Sequence, residues 1–342
     1  MALLSGDDPA AVAAAARRLA DGGLVAFATE TVYGLGARAD SDSAVATIVA
    51  AKGRPAEHPL IVHVAGLAQA ALFASRLPPA ALRLAQAFWP GPVTLIVPRA
   101  PGQATAAAGG QPSIGLRCPA HPVAQALLHA ASALGVAGVA APSANRFGRI
   151  SPTCAAHVVA EFGPGLWLLD GGPSALGIES TIVDLSRGPP VLLRPGVLGR
   201  AALEAVLGEP LHAPDGQAPR APGTLASHYA PTARLRLWPA DVLHALLDGL
   251  PARPGAVPAG VAVYCRRADL AGLGRRSRRM ADNPAAVAHE LFVVLRALDS
   301  DGCTEIWVEQ PPDGPAWEGV ADRLRRAATP FQPGWNPDDS FL

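Results

Sequence analysis

Apolar and polar positions alternate in short blocks along the first two hundred residues, and the blocks change period. "DPAAVAAAARRLADGG" carries helical spacing, opened by Asp8 and Pro9 and stopped by Gly22 and Gly23. "LVAFAT" follows as a short buried strand, and "ETVYGLG" reads as a polar turn. "SDSAVATIVAAKG" predicts a second helix with Ser41 or Ser43 as N-cap and Gly53 as its end. "PLIVHVA" reads as a strand and "PPAALRLAQAFW" as a helix opened by proline. "PVTLIVP", "SIGLRCP", "GVAAPSAN", "LWLLDGG", "STIVDLS" and "VLLRPG" are apolar runs bounded by Gly and Pro, the mark of buried strands. Intermixed strands and helices predict an α/β or α+β domain built on a mixed sheet.

The texture changes near residue 208. "GEPLHAPDGQAPRAPGTLASHYAPTA" has five prolines and no periodicity, so it reads as a linker or an ordered loop. Beyond it, "RLRLW", "GVAVYC" and "TEIWVEQ" alternate with helical patterns near 240–249 and 284–299, which predicts a small parallel sheet. The division expected is therefore 1–208, a linker over 209–232, and an accessory α/β domain over 233–342. At 342 residues, two domains are the ordinary expectation.

Composition narrows the classes. Formal net charge is zero, and residues 1–208 hold 14 Lys+Arg against 12 Asp+Glu, so neither part is strongly basic. That argues against a protein that grips nucleic acid through many phosphates. The cluster "RRSRR" over Arg275–Arg279 reads as a solvated loop. Cys118, Cys154, Cys265 and Cys303 form no C-x-x-C pair, which speaks against a zinc site and for reduced thiols. No apolar run reaches membrane-spanning length, and "MALLSGDDPA" lacks the basic start of a secretory signal, so a cytoplasmic location is expected.

The candidate chemistry is cationic and hydroxylic. No dinucleotide fingerprint, P-loop, G-x-S-x-G elbow or H-E-x-x-H is present; "GLGARAD" lacks the third glycine. Polar residues instead gather at strand ends: Thr31, His63, Arg117, Ser143, Ser180 and Arg194. Lys52 is the only lysine among 28 basic residues. In "KGRP", Pro55 keeps Arg54 out of the helical region, so Lys52 and Arg54 can point to one place. An ammonium beside a guanidinium suits two different polyphosphate oxygens, although Lys52 can equally cap its own helix. Arg117 and Arg194, inside apolar strands, need either a wet cleft or a buried partner such as Asp170 or Asp184. His63 alone reads as a core histidine, and Ser180 with Thr181 as a turn cap. In "SHYAP", Tyr229 reads as a lid over a site.

Taken in order, "ATETVYGLGARAD", "KGRPAEHPLIVHV", "WPGPVTLIV", "IGLRCPAHP", "APSANRFGRISPT", "IESTIVD" and "LLRPG" resemble the YrdC-like family, and with "APGTLASHYAP" its long, two-domain threonylcarbamoyl-AMP synthases. The resemblance implies a YrdC-like twisted mixed sheet with helices, followed by a smaller Rossmann-like parallel-sheet domain. It implies condensation of L-threonine, bicarbonate or CO2, and ATP with Mg2+ to threonylcarbamoyl-AMP and pyrophosphate. The product would pass to a tRNA threonylcarbamoyl transferase complex, which modifies the adenosine beside the anticodon. Carried over by motif, Thr31, His63, Arg117, Ser180 and the Ala141 backbone would bind threonine. Lys52, Arg54, His58, Ser113, Ser143, Asn145, Ser151, Arg194 and Tyr229 would hold ATP, with Lys52 and Arg54 nearest the chemistry and no resident metal. Position 113 is serine where threonine is also usual. The alternatives are an RNA-binding YrdC-like protein, which zero net charge disfavours, and one handling carbamoyl-adenylate, which the missing C-x-x-C modules disfavour.

Overall fold

The computed structural model describes residues 2–250, 257–267, 270, 274 and 276–329. Two compact units emerge. The first comprises residues up to Phe147 and Ser151–Thr224; the second takes Gly148–Ile150 and the chain from Leu225 onward, so the segment 209–232 is divided between them.

In the first unit the strands are β1 (Ala2–Ser5), β2 (Val25–Phe27), β3 (Gly34–Arg38), β4 (Ile61–His63), β5 (Val93–Pro98), β6 (Ser113–Arg117), β7 (Val139–Ala140), β8 (Trp167–Asp170), β9 (Thr181–Asp184) and β10 (Val191–Arg194). They form one mixed sheet in the order β1-β8-β2-β3-β7-β4-β6-β5-β9-β10. The helices are α1 (Pro9–Ala20), α2 (Asp42–Lys52), α3 (Leu67–Phe73), α4 (Pro79–Phe88), α5 (Pro122–Ala133), α6 (Ala155–Phe162) and α7 (Arg200–Leu207). The expected turn "ETVYGLG" is corrected in its second half: its glycines enter β3, between β2 and β7, where a wide side chain would not fit. A Cβ at Gly36 would lie 2.7 Å from Val139 and 2.9 Å from Phe27. The run "GVAAPSAN" is strand only at Val139–Ala140.

Period-2 alternation sorts the middle of this sheet into two faces. Val62, Leu95, Val97, Ile114, Leu116 and Val183 point into the main core with Val45, Ile48, Phe73 and Leu84 from the helices. Burying each such side chain contributes roughly 1.5–3 kcal/mol, which fixes the register. The other face therefore receives Ile61 and His63 from β4, Thr94 and Ile96 from β5, Ser113, Gly115 and Arg117 from β6, and Ile182 from β9. Three isoleucines there pack with Val191, Leu193 and Ala221. Of the polar residues on that face, His63, Ser113 and Arg117 are ones singled out from the sequence, and Thr94 is not.

α2 places the lone lysine. Ser41 caps its start by accepting from the Ala44 amide at 3.3 Å, and Gly53 ends it at φ 63°, a left-handed geometry that glycine adopts without strain.

The second unit contains β11 (Arg234–Trp238), α8 (Ala240–Asp248), β12 (Val261–Cys265), β13 (Ser277–Arg279), α9 (Pro284–Ser300), β14 (Glu305–Glu309) and α10 (Glu318–Ala328). Its four strands are all parallel, in the order β11-β14-β12-β13. The loop expected at "RRSRR" is corrected over Ser277–Arg279, which forms the edge strand β13; Arg275 lies outside the described residues. Pairing to β12 on one side only lets its arginines remain in solvent.

Candidate active site

Four strands deliver the first cluster. β4 and β6 run parallel with His63 opposite Arg117, and Thr94 on β5 is the next residue across. Arg117 is 4 % exposed, a costly place for a cation unless it is paired. Its partner is Glu30, whose Oε1 accepts from Nη2 at 2.6 Å, while Nη1 donates to the Thr31 hydroxyl at 2.8 Å. The expected partners Asp170 and Asp184 are otherwise engaged: Asp170 accepts from the Tyr33 hydroxyl at 2.8 Å, and Asp184 from the Ser186 hydroxyl at 2.6 Å. Burial pushes the Glu30 carboxyl up, but the charge and hydrogen bond of Arg117 outweigh it and hold the group below its ordinary value.

His63 is 3 % exposed and stands edge-on to Phe27, ring centroids 6.2 Å apart. Burial, with Arg117 beside it, drives its pKa down to about 3, so the imidazole is neutral. Its Nδ1 is buried and has no hydrogen-bond partner among the described residues. The Thr94 and Ser180 hydroxyls lie 2.8 Å apart. Ala141 belongs to the chain leaving β7, where its amide donates to the Ile61 carbonyl at 2.9 Å.

Arg194 reaches this face through an irregularity. Leu192 opposes Val183, yet Arg194 opposes Ile182, one residue out of step. Regular pairing would turn Arg194 into the core behind Leu192; the bulge turns it to the site face. There it donates to the Ser180 carbonyl at 2.8 Å and to the Pro222 carbonyl at 2.9 Å. Ser113 sits on the same face at the start of β6, where it lines a small cleft with Ile61, Thr94, Ile182 and Arg220.

The second cluster surrounds α2. The Lys52 ammonium, 3 % exposed, donates to the Ser143 carbonyl at 2.6 Å and to the Asn145 carbonyl. Its own helix is capped by Gly53, so the side chain ties the "SAN" segment rather than ending the helix. Burial, then the Arg54 charge, holds its pKa well below the ordinary value, against the pull of Glu161. Arg54 donates to the Pro59 carbonyl at 2.9 Å and lies 5.5 Å from the Phe147 ring, which His58 meets edge-on at 5.6 Å. Asn145 donates from its amide to the Arg146 carbonyl at 2.7 Å. The Ser151 hydroxyl donates to Glu179.

The structure thus brings Thr31, His63, Arg117 and Ser180, with Arg194, onto one face, and Lys52, Arg54, His58, Ser143 and Asn145 around one turn. Tyr229 belongs to the second unit, where it takes φ 62° and is packed by His228 at 4.1 Å, Phe292 at 5.6 Å and Arg323 at 5.1 Å. Sequence reasoning missed Glu30, Thr94 and Glu179. A charged residue beside Thr31 in "TET" was the available signal for Glu30, and Thr94 was hidden in an apolar run.

Comparison with known proteins bears on what such a site does. Residues 17–196 match the model of the Sua5–YciO–YrdC family, described as "Telomere recombination", and residues 198–329 match the "Threonylcarbamoyl-AMP synthase, C-terminal domain". The threonylcarbamoyl-AMP synthase of Pyrococcus abyssi is 37 % identical over 326 residues, covering 92 % of this chain and 93 % of that one. That of Bacillus subtilis is 37 % identical over 341 residues, with 95 % and 94 % covered. The crystal structure of P. abyssi Sua5 complexed with L-threonine superposes with a TM-score of 0.82 at 34 % identity, covering 94 % of this chain and 95 % of that chain.

Proposed function

Because the chain belongs to the YrdC-like family, in its long threonylcarbamoyl-AMP synthase form, we propose an assignment of its two clusters to the two halves of that synthesis. The activity is formation of threonylcarbamoyl-AMP, an adenylate made for tRNA modification. The face carrying Thr31, His63, Arg117 and Ser180, with the Ala141 backbone, takes threonine. The turn carrying Lys52, Arg54, His58, Ser143 and Asn145, with Ser113, Ser151, Arg194 and Tyr229, takes ATP. The observation that carries this reading is Arg117: a buried guanidinium beside a neutral His63 is built for a carboxylate ligand with a hydroxyl.

Threonine's free amine would add to CO2 with loss of a proton, or to bicarbonate with loss of water, giving a carbamate whose oxygen attacks the α-phosphorus of ATP and releases pyrophosphate. ATP, the carbamate and, where it is the reactant, bicarbonate are anionic, so the residues' task is to neutralise and align them. Phosphoryl-type transfer asks little covalent chemistry of side chains, which fits a site of cations and hydroxyls. Mg2+ would enter with the ATP phosphates; among the described residues no group of three His, Cys, Asp or Glu side chains could hold a metal. The adenylate would then pass to a tRNA threonylcarbamoyl transferase, in the cytoplasm, without tight tRNA binding by this chain. No described helix is long and apolar enough to cross a membrane.

The test is incorporation of labelled bicarbonate into an adenylate by the purified protein with ATP and Mg2+, with and without L-threonine. Threonine-dependent product is expected, falling about 10²-fold in Lys52→Arg, since a planar fork cannot replace an ammonium between two carbonyls. Absence of product under every condition would overturn the assignment.

A further inference from the structure

The cluster around Arg117 has hydrogen-bonding capacity that the described residues do not use. The Glu30 side chain is 10 % exposed. Its Oε1 accepts from Arg117, but its Oε2 is buried and accepts no hydrogen bond from the described residues. The backbone amides of Glu30 and Ala120 favour the charged form without supplying that bond. An ionised oxygen left unmatched in the interior is costly, so something else is expected to meet it. Nδ1 of His63, the residue opposite Arg117 in the β4–β6 pair, is also buried and without a hydrogen-bond partner among the described residues. Arg117 is not saturated either. A guanidinium has five N–H groups, and here Nη1 and Nη2 each spend one, on Thr31 and Glu30, which leaves one on each.

We propose that Glu30 is a specificity-determining residue that receives the α-ammonium group of the amino-acid substrate on Oε2 while Oε1 fixes Arg117. The inference rests on the reading of this face as the threonine pocket and adds a residue to it. Charge balance carries the argument. Arg117 and Glu30 neutralise one another before any ligand arrives. A zwitterion entering between them adds no net charge, with its carboxylate on the two remaining Arg117 N–H groups and its ammonium on Glu30 Oε2. Every buried charge is then paired. A 2-hydroxy acid of the same shape brings a carboxylate with no ammonium, leaving Glu30 Oε2 facing a neutral group and the pocket one charge out of balance. Glu30 therefore selects free amino acids over hydroxy acids, a choice Arg117 cannot make.

The experiment is calorimetric titration with L-threonine and with 2,3-dihydroxybutanoate, in which a hydroxyl replaces the ammonium, on wild type, Glu30→Gln and Glu30→Asp. Wild type is expected to bind threonine at least ~10-fold more tightly than the hydroxy acid. Glu30→Gln keeps an acceptor for Arg117 but turns a donor towards the ammonium. Threonine affinity should fall ~10–100-fold and hydroxy-acid affinity less than ~3-fold, erasing the preference. Glu30→Asp keeps the charge and should keep the preference even where both affinities drop. Equal losses for the two ligands in Glu30→Gln would mean that Glu30 acts only by positioning Arg117, and would overturn the proposal. So would a lost preference in Glu30→Asp, which is read even if Glu30→Gln fails to fold. A wild type that binds ATP but neither ligand would instead reject the threonine-pocket reading, and this proposal with it.

Discussion

At the scale of single residues, the site depends on ionisable groups taken out of water and matched to specific partners. Lys52 illustrates it: its ammonium holds two backbone carbonyls of the "SAN" segment, a task for a compact, three-donor point charge. A chain whose other basic residues are all arginine keeps its one lysine between two backbone carbonyls. His63 shows the converse, a titratable ring held neutral by burial next to Arg117. Its folded pKa of about 3 lies below the ordinary 6.5 it regains on unfolding. The unfolded chain therefore binds the extra proton, and stability present above pH 6.5 is lost as pH falls towards 3. Between pH 7 and pH 5 that loss is about 2 kcal/mol for this one ring. Urea unfolding at the two pH values should show wild type losing that much more stability than His63→Asn. Equal losses in the two proteins would mean that His63 titrates normally in the folded state.

At the scale of elements, the decisive features are an alternation and its interruption. β4, β5, β6, β9 and β10 offer one face to the core and the other to the site, and on β10 it is the bulge that re-aims Arg194 to the site face. Gly196 lies just beyond that bulge, where a Cβ would stand 2.6 Å from the Thr181 amide nitrogen and 2.7 Å from the Glu179 carbonyl. Both neighbours are backbone and cannot give way. Gly196→Ala is expected to cost about 1–3 kcal/mol of stability and to push β10 away from Ser180. Synthase activity should fall with it, as Arg194 loses its carbonyl partner. An alanine variant with wild-type melting temperature and activity would show that the strand end has slack. These elements also mark how far the sequence could be read. Capped α1 and α2 and the apolar strands follow from periodicity, and so does the placement of His63 and Arg117 at strand ends. Glycine-rich β3 did not follow, because its glycines serve close packing across strands, which no local pattern encodes. The short edge strand β1 and helices α3 and α5–α7 lay in alanine-rich or weakly patterned stretches. Arg117's partner was unreadable for a related reason: 87 residues separate it from Glu30, and pairing across a sheet is set by topology.

At the scale of the whole molecule, the division into units cuts through the site's own sequence. Gly148–Ile150 lie between Asn145 and Ser151, both proposed ATP contacts, yet they belong to the second unit. Within that unit the Ala230 amide donates to the Gly148 carbonyl at 2.9 Å, Arg149 pairs with Ala230 in a parallel bridge, and the Arg296 guanidinium donates to the Ile150 carbonyl. A chain ending at Thr224 loses every one of these partners while keeping the whole ten-stranded sheet and the groups around Arg117. Threonine affinity of such a truncation should therefore stay within a few-fold of wild type. Its KM for ATP should rise about tenfold or more, because the truncation removes Tyr229, one of the proposed ATP contacts, together with the partly buried hydrogen bonds to the segment that spaces Asn145 from Ser151. Arg296→Met in the full chain removes one of those bonds and should move the ATP constant the same way by a smaller factor, leaving threonine untouched. An ATP constant unchanged in both proteins would confine nucleotide binding to the first unit. A threonine constant that rises as much as the ATP constant would show that the second unit supports the sheet as a whole rather than this one segment.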